Sequence, residues 1–168
     1  MGIVYGYFFP DTGRTDDPDA VTGLTSRDKY LVKTSWANVM KNPTANGCAL
    51  LLLLFKKYPE YIQLFPFRDV PYSELREAKR FQAHCNSVVF ALASIVDALG
   101  DNDLLIHLLR KTGSSHVARK VTPEAFHRLK NCVVELFSTF MNEEEIAAWT
   151  KTLDVAFAQI DEGIKNAK

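Results

Sequence analysis

From Thr25 onward, apolar residues recur at three- and four-residue steps through one window after another, and strict alternation never lasts more than a few residues. That spacing returns to one face of a helix, whereas a half-buried strand needs alternation. The chain is therefore predicted to be all-α, with its helices packed on each other around one interior. Residues 1–24 differ. Gly2, Gly6, Pro10, Gly13, Pro18, Gly23 and four Asp break any period there, so they read as an irregular N-terminal extension to a single domain over 25–168.

Local signals place the boundaries. Thr25, with Asp28 three residues on, caps a first helix to about Met40, with Val32, Trp36, Val39 and Met40 inward. Asn42 before Pro43 opens a second helix carrying Leu50 to Phe55, and Pro59 ends it. A short helix to Leu64 leads into a turn-rich corner from Phe65 to Pro71. Ser73 is the expected cap of a long helix to about Leu99, with Phe81, Cys85, Val88, Leu92, Ile95, Val96 and Leu99 on one stripe. The next helix spans Asp101 to His116 with Leu105, Leu108, Leu109 and Thr112 in register. Thr122-Pro123-Glu124 then opens a helix with Phe126, Leu129, Val133, Leu136 and Phe140 inward, and Asn142 with Glu145 caps a last one bearing Ile146, Trp149, Leu153, Phe157, Ile160 and Ile164.

Composition removes several classes of function. Twenty basic and twenty acidic side chains cancel, which leaves no nucleic-acid footprint and no strong field toward a membrane. Three cysteines, at 48, 85 and 132, are an odd number without close spacing and fall in apolar stretches, so they are expected to be buried thiols in a reducing compartment. The charge-free stretches 42–55 and 81–96 are short of the roughly 20 residues of a bilayer span. No basic residue precedes Arg14, so the front of a secretory signal is missing, and a cytoplasmic protein is expected. Gly2 could take myristate, but Gly6 stands where that motif has Ser or Thr.

Four histidines remain to be placed. His107 and His127 fall on polar helix sides, whereas His84 and His116 interrupt stripes that are otherwise apolar. An inward imidazole is usually a core residue with a hydrogen-bond partner. Two on consecutive helices can face one interior, and no Cys, Asp or Glu on those faces completes the set of ligands zinc needs. A planar cofactor whose metal takes only axial protein ligands suits such a pair, and haem is one.

With Trp36 in the first helix, Phe65 six residues after Pro59, His84 followed by Val88, then His116 and the Val121-Thr-Pro-Glu-Ala-Phe126 run, the chain resembles the globin family over about residues 25–166. The resemblance implies a globin fold of about seven to eight helices in a three-over-three sandwich around haem b. It also implies His116 as the proximal iron ligand, with Ser115 Oγ or the Thr112 carbonyl taking its other ring proton. His84 becomes the distal residue, stabilising a bound gas or acting as sixth ligand, in a pocket of Phe65, Val88, Leu51, Val121 and Phe126. Gly47 matches one of the two small residues where the family's second and fourth helices cross, but Cys85 stands at the other, so a slightly wider crossing is expected.

The function so implied is reversible binding of O2, and of other diatomic gases such as NO and CO, for transport, storage or supply. A haem redox enzyme or sensor is the alternative: an NO dioxygenase or nitrite reductase working with a reductase, or a hexacoordinate redox globin. The distal Arg and proximal carboxylate that would favour a peroxidase are absent at the matching positions. Neutral charge and many apolar residues leave association into a homodimer open.

Overall fold

The computed structural model describes residues 16–167. They form α1 (Ser26–Met40), α2 (Pro43–Lys57), α3 (Lys79–Asp97), α4 (Asn102–Val117), α5 (Pro123–Phe137) and α6 (Glu143–Asn166), joined by 3-10 turns at Pro59–Leu64, Tyr72–Glu77 and Ala98–Gly100. There is no strand among the described residues, as the spacing predicts. Helices α1, α3 and α4 make one layer and α2, α5 and α6 the other. Between the layers α4 crosses α6, α2 crosses α3 and α1 crosses α6.

Most caps are where the sequence puts them. Thr25 and Asp28 close a reciprocal capping box, as do Asn142 and Glu145, while Asp101 and Thr122 accept the backbone N–H groups of Leu104 and Ala125. Such caps are worth about 1 kcal/mol each. Away from the histidines, the core centres on Trp149, whose ring lies 5.6 Å from Trp36 and 4.9 Å from Phe137. Its indole N–H donates to Ser35 Oγ at 2.9 Å, so α6 is keyed to α1 at a fixed register.

Four expectations are corrected. Ser73 caps nothing: Tyr72–Glu77 is a 3-10 turn, Ala78 is extended, and α3 begins at Lys79. Leu75 and Phe81 are both fully buried, and on one continuous helix six residues would set them about 120° apart, so the break at Ala78 lets both reach the core. Asn42 makes no side-chain cap, and the Asn46 side-chain amide donates back to the Val39 carbonyl across the same corner. Phe140 lies beyond the end of α5 and is exposed, and Phe137 fills the inward position.

The fourth correction concerns the α2–α3 crossing, which is tight rather than wide. A Cβ on Gly47 would sit 2.4 Å from the Cys85 carbonyl oxygen. The two backbones touch because the missing side chain is on α2, while the Cys85 thiol lies against Cys48. Cys48, Cys85 and Cys132 are all buried free thiols, and burial pushes the Cys85 and Cys132 thiols up from their ordinary value.

Residues 19–24 are tied to the helices. Asp19 accepts from the amides of Val21 and Thr22 and from the side chain of Asn102, the first residue of α4, and Leu24 is buried in the core. Gly2 lies outside the described residues. Lys79–Gly100 is long and apolar enough to cross a membrane, yet one face of this helix supplies core residues such as Phe81, Cys85 and Val96.

Candidate functional site

Between α3 and α4, and floored by α5 and α6, lie two contiguous cavities of about 380 and 320 Å³. They share His84, Val88, His116, Phe126 and Leu129 as lining, so they form the outer and inner parts of one slot. A volume of this order is what a cofactor needs. Because His84, Val88 and His116 face this space rather than other side chains, they are half-buried although they continue the apolar stripes of α3 and α4.

His116 sits on the last turn of α4. Its Nδ1 lies 2.8 Å from the Thr112 carbonyl oxygen and 3.3 Å from Ser115 Oγ, while that hydroxyl itself donates to the same carbonyl at 2.9 Å. A carbonyl can only accept, so Nδ1 carries the proton and the Nε2 lone pair is left for a metal. Both anticipated partners of the ring are therefore present. Phe126 closes its flank edge-on, ring centres 5.1 Å apart.

His84, on α3, has a different seat. Its ring packs against Phe65 at 5.0 Å and Phe67 at 5.8 Å, and it makes no hydrogen bond among the described residues. Burial pushes its pKa below the ordinary histidine value, and the nearby Arg119 guanidinium acts in the same direction. At neutral pH it is an uncharged ring with one N–H and one lone pair, turned toward the cavity.

The other expected residues converge on the same space. Phe65, Leu51 and Val121 line the outer part and Val88 and Phe126 both parts, whereas Ser115 stays outside as a partner of His116. His107 is exposed, and His127 reaches Asp161 at 2.8 Å on the surface. Further lining residues, among them Leu54, Tyr61 and Arg119, were not expected in the site, and Leu129 was expected only as an inward residue of its helix. Arg119 stands at the mouth with one guanidinium N–H on the Ser115 carbonyl at 2.8 Å. A cation three residues past the inward histidine, just beyond the helix end, was the available signal.

This donor set suits a porphyrin iron. The walls are apolar, one imidazole has a free and oriented Nε2, a second faces it, and a guanidinium at the rim can meet the acidic edge of the macrocycle. Elsewhere, among the described residues, no three His, Cys, Asp or Glu side chains converge on a metal-sized space. A sequence model of the globin family matches residues 49–160.

The chain belongs to the globin family. This globin is 30% identical over 159 residues to a globin of Nerita albicilla, covering 86% of this chain and 96% of that one. It is 28% identical over 155 residues to cytoglobin-1 of Oryzias latipes, covering 88% of each. Its fold superposes with a TM-score of 0.78 on the hexa-coordinate haemoglobin of Drosophila melanogaster, described for cyanide binding and haem-cavity transitions. That match is 29% identical and covers 83% of this chain and 98% of that one. Like the family, this globin takes haem b as its cofactor and binds diatomic gas at the haem iron.

Proposed function

We propose that the protein binds O2 reversibly, with His116 as the axial ligand to haem iron and His84 as the residue that meets the gas. When bound, haem would supply a ferrous iron able to take up a diatomic gas. The carrying observation is the Nδ1 contact of His116 with the Thr112 carbonyl, which aims Nε2 into the slot and raises its basicity. On the opposite side, the N–H of His84 donates to the partial negative charge of a gas in the distal half. Leu51, buried and apolar, offers no second donor there. Phe65, Val88 and Phe126 exclude water and its protons from the slot, which would favour the ferrous state of a bound haem. Arg119 holds the acidic edge at the mouth. The role is storage or supply of O2 in the cytoplasm.

A second reading has its own observation. Among the described residues His84 has no hydrogen bond to give up, and its lone pair is as free as its N–H. The ring can therefore itself serve as the sixth ligand until a gas displaces it, which is a sensor or redox behaviour. The absorption spectrum of the reduced, gas-free protein decides between them. One broad visible band means that only His116 is bound, and two sharp bands mean that both are. An O2 titration of the same sample then tests reversibility: progressive oxidation to the ferric form without a stable oxygenated spectrum overturns the storage reading.

A further inference from the structure

The hydrogen bond to Thr112 orients the His116 ring, but it does not fix where the helix carrying that ring lies. Two glycines do. A Cβ on Gly113 would lie 2.1 Å from the Ile160 carbonyl oxygen, and one on Gly163 would lie 2.2 Å from the Arg110 carbonyl oxygen. Gly113 follows Arg110 by three residues on α4, and Gly163 follows Ile160 by three on α6. The contact is therefore reciprocal, each helix offering a glycine to the other's carbonyl over one shared turn. Any side chain at either position forces the helices apart, because no Cβ sits within 3.0 Å of such an atom.

The surroundings make this crossing a fixed reference. Arg110 Nε donates to Gln159 Oε1 at 3.0 Å and resists rotation of one helix on the other. Helix α6 is in turn keyed to α1 by Trp149 on Ser35 and by Lys151 on Asp28. His116 follows Gly113 by three residues, about one turn, and α4 ends one residue later at Val117. Terminal turns fray, so a ligand on a last turn is well placed only if the turn before it is immobile. Glycine inside a helix costs stability relative to alanine, yet here two helices each spend one at the same point. Departures of this kind from local preference are expected where function demands them.

We propose that Gly113 and Gly163 are positioning residues for the iron ligand: the backbone-to-backbone crossing of α4 on α6 sets the depth and tilt of His116 in the haem slot. This rests on His116 being the axial ligand. The test is made in a His84→Leu background, so that only one imidazole reaches the iron. The readout is the iron–imidazole stretching band of the ferrous, gas-free protein in resonance Raman. Gly113→Ala and Gly163→Ala are each expected to shift or broaden that band. The same substitutions in a His116→Gly background, loaded with hemin and free imidazole, are expected to leave it unmoved, because that ligand is not tethered to α4.

An unchanged band in the tethered protein, or an equal shift in both backgrounds, overturns the proposal. Should a glycine variant fail to hold haem through His116, recovery with free imidazole supports positioning, and failure in both backgrounds overturns it in favour of a purely folding role. The reading of His116 itself fails separately, if His116→Gly with both glycines intact keeps the band without added imidazole.

Discussion

The two imidazoles that face the haem slot are held in opposite ways. His116 is fixed by polar contacts, with Nδ1 on the Thr112 carbonyl at 2.8 Å and Ser115 Oγ at 3.3 Å. Among the described residues His84 is held by aromatic rings and no hydrogen bond, Phe65 at 5.0 Å and Phe67 at 5.8 Å. Hydrogen bonds select a tautomer and a direction, whereas ring packing restricts a side chain without choosing which nitrogen points where. The ring of His116 thus has one use, and that of His84 keeps two. Their helices differ likewise. At its start α4 is capped by Asp101 and gripped at Asn102 by Asp19, while α3 starts after an extended residue with no side-chain cap.

The comparison can be broken hardest at the fixed ring. His116→Ala is expected to abolish haem retention on purification, read as loss of the absorption of bound haem. A haem-replete variant with an unchanged spectrum would remove the assignment. The next largest effect belongs to the aromatic seat of the other ring. Phe67 is fully buried and touches Phe55, Phe65 and Phe81 besides His84. Phe67→Ala is expected to cost about 3–5 kcal/mol in denaturant unfolding of the apoprotein. It should also move the ferrous spectrum, because it frees His84, whereas an equally destabilising substitution away from that ring should not.

His84→Leu sharpens the contrast with His116. Haem is retained, but a donor to the bound gas is lost. Hydrogen bonds to charged groups are worth about 1.5–3 kcal/mol, so O2 dissociation is expected to rise by about one to two orders of magnitude, measured by stopped-flow displacement. An unaltered rate would show that His84 does not meet the gas.

The smallest effect concerns the anchor at the start of α4. The side chain of Asn102, followed by the amides of Thr22 and Val21, holds the Asp19 carboxyl well below its usual range. A depressed carboxyl pKa gives stability that is fully present above the ordinary carboxyl value and is lost as pH falls through the depressed one. Thermal melts of the wild type and Asp19→Asn should therefore differ by a constant amount near neutrality and converge in strong acid. A constant difference down to the lowest pH would mean that Asp19 contributes through shape and not charge.

Much of this was legible along the chain because it is local. The Val121-to-Phe126 run carries its own cap, its helix-starting proline and three lining residues within two turns. The partner of His116 lies four residues back on the same helix, so spacing alone names it. What depended on another element was less legible. Phe140 has the right period for an inward residue, but α5 stops first. Ser73 looks like a cap, but burying both Leu75 and Phe81 bends the chain between them. Arg119 reads as one more surface cation until the slot is seen to open beside it.

The order and type of the helices, the inward placing of both histidines and the tautomer of one of them were fixed by the amino-acid order, because periodicity, caps and one-turn contacts act over a few residues. The depth of each histidine was not. That of His116 follows from Gly113 and Gly163 across the α4–α6 crossing, and the α2–α3 separation from Gly47 beneath the Cys85 carbonyl, contacts between backbones far apart in the chain. In a sequence an interior glycine is merely a weak point in a helix; only packing turns the absence of a side chain into a definite separation between two helices.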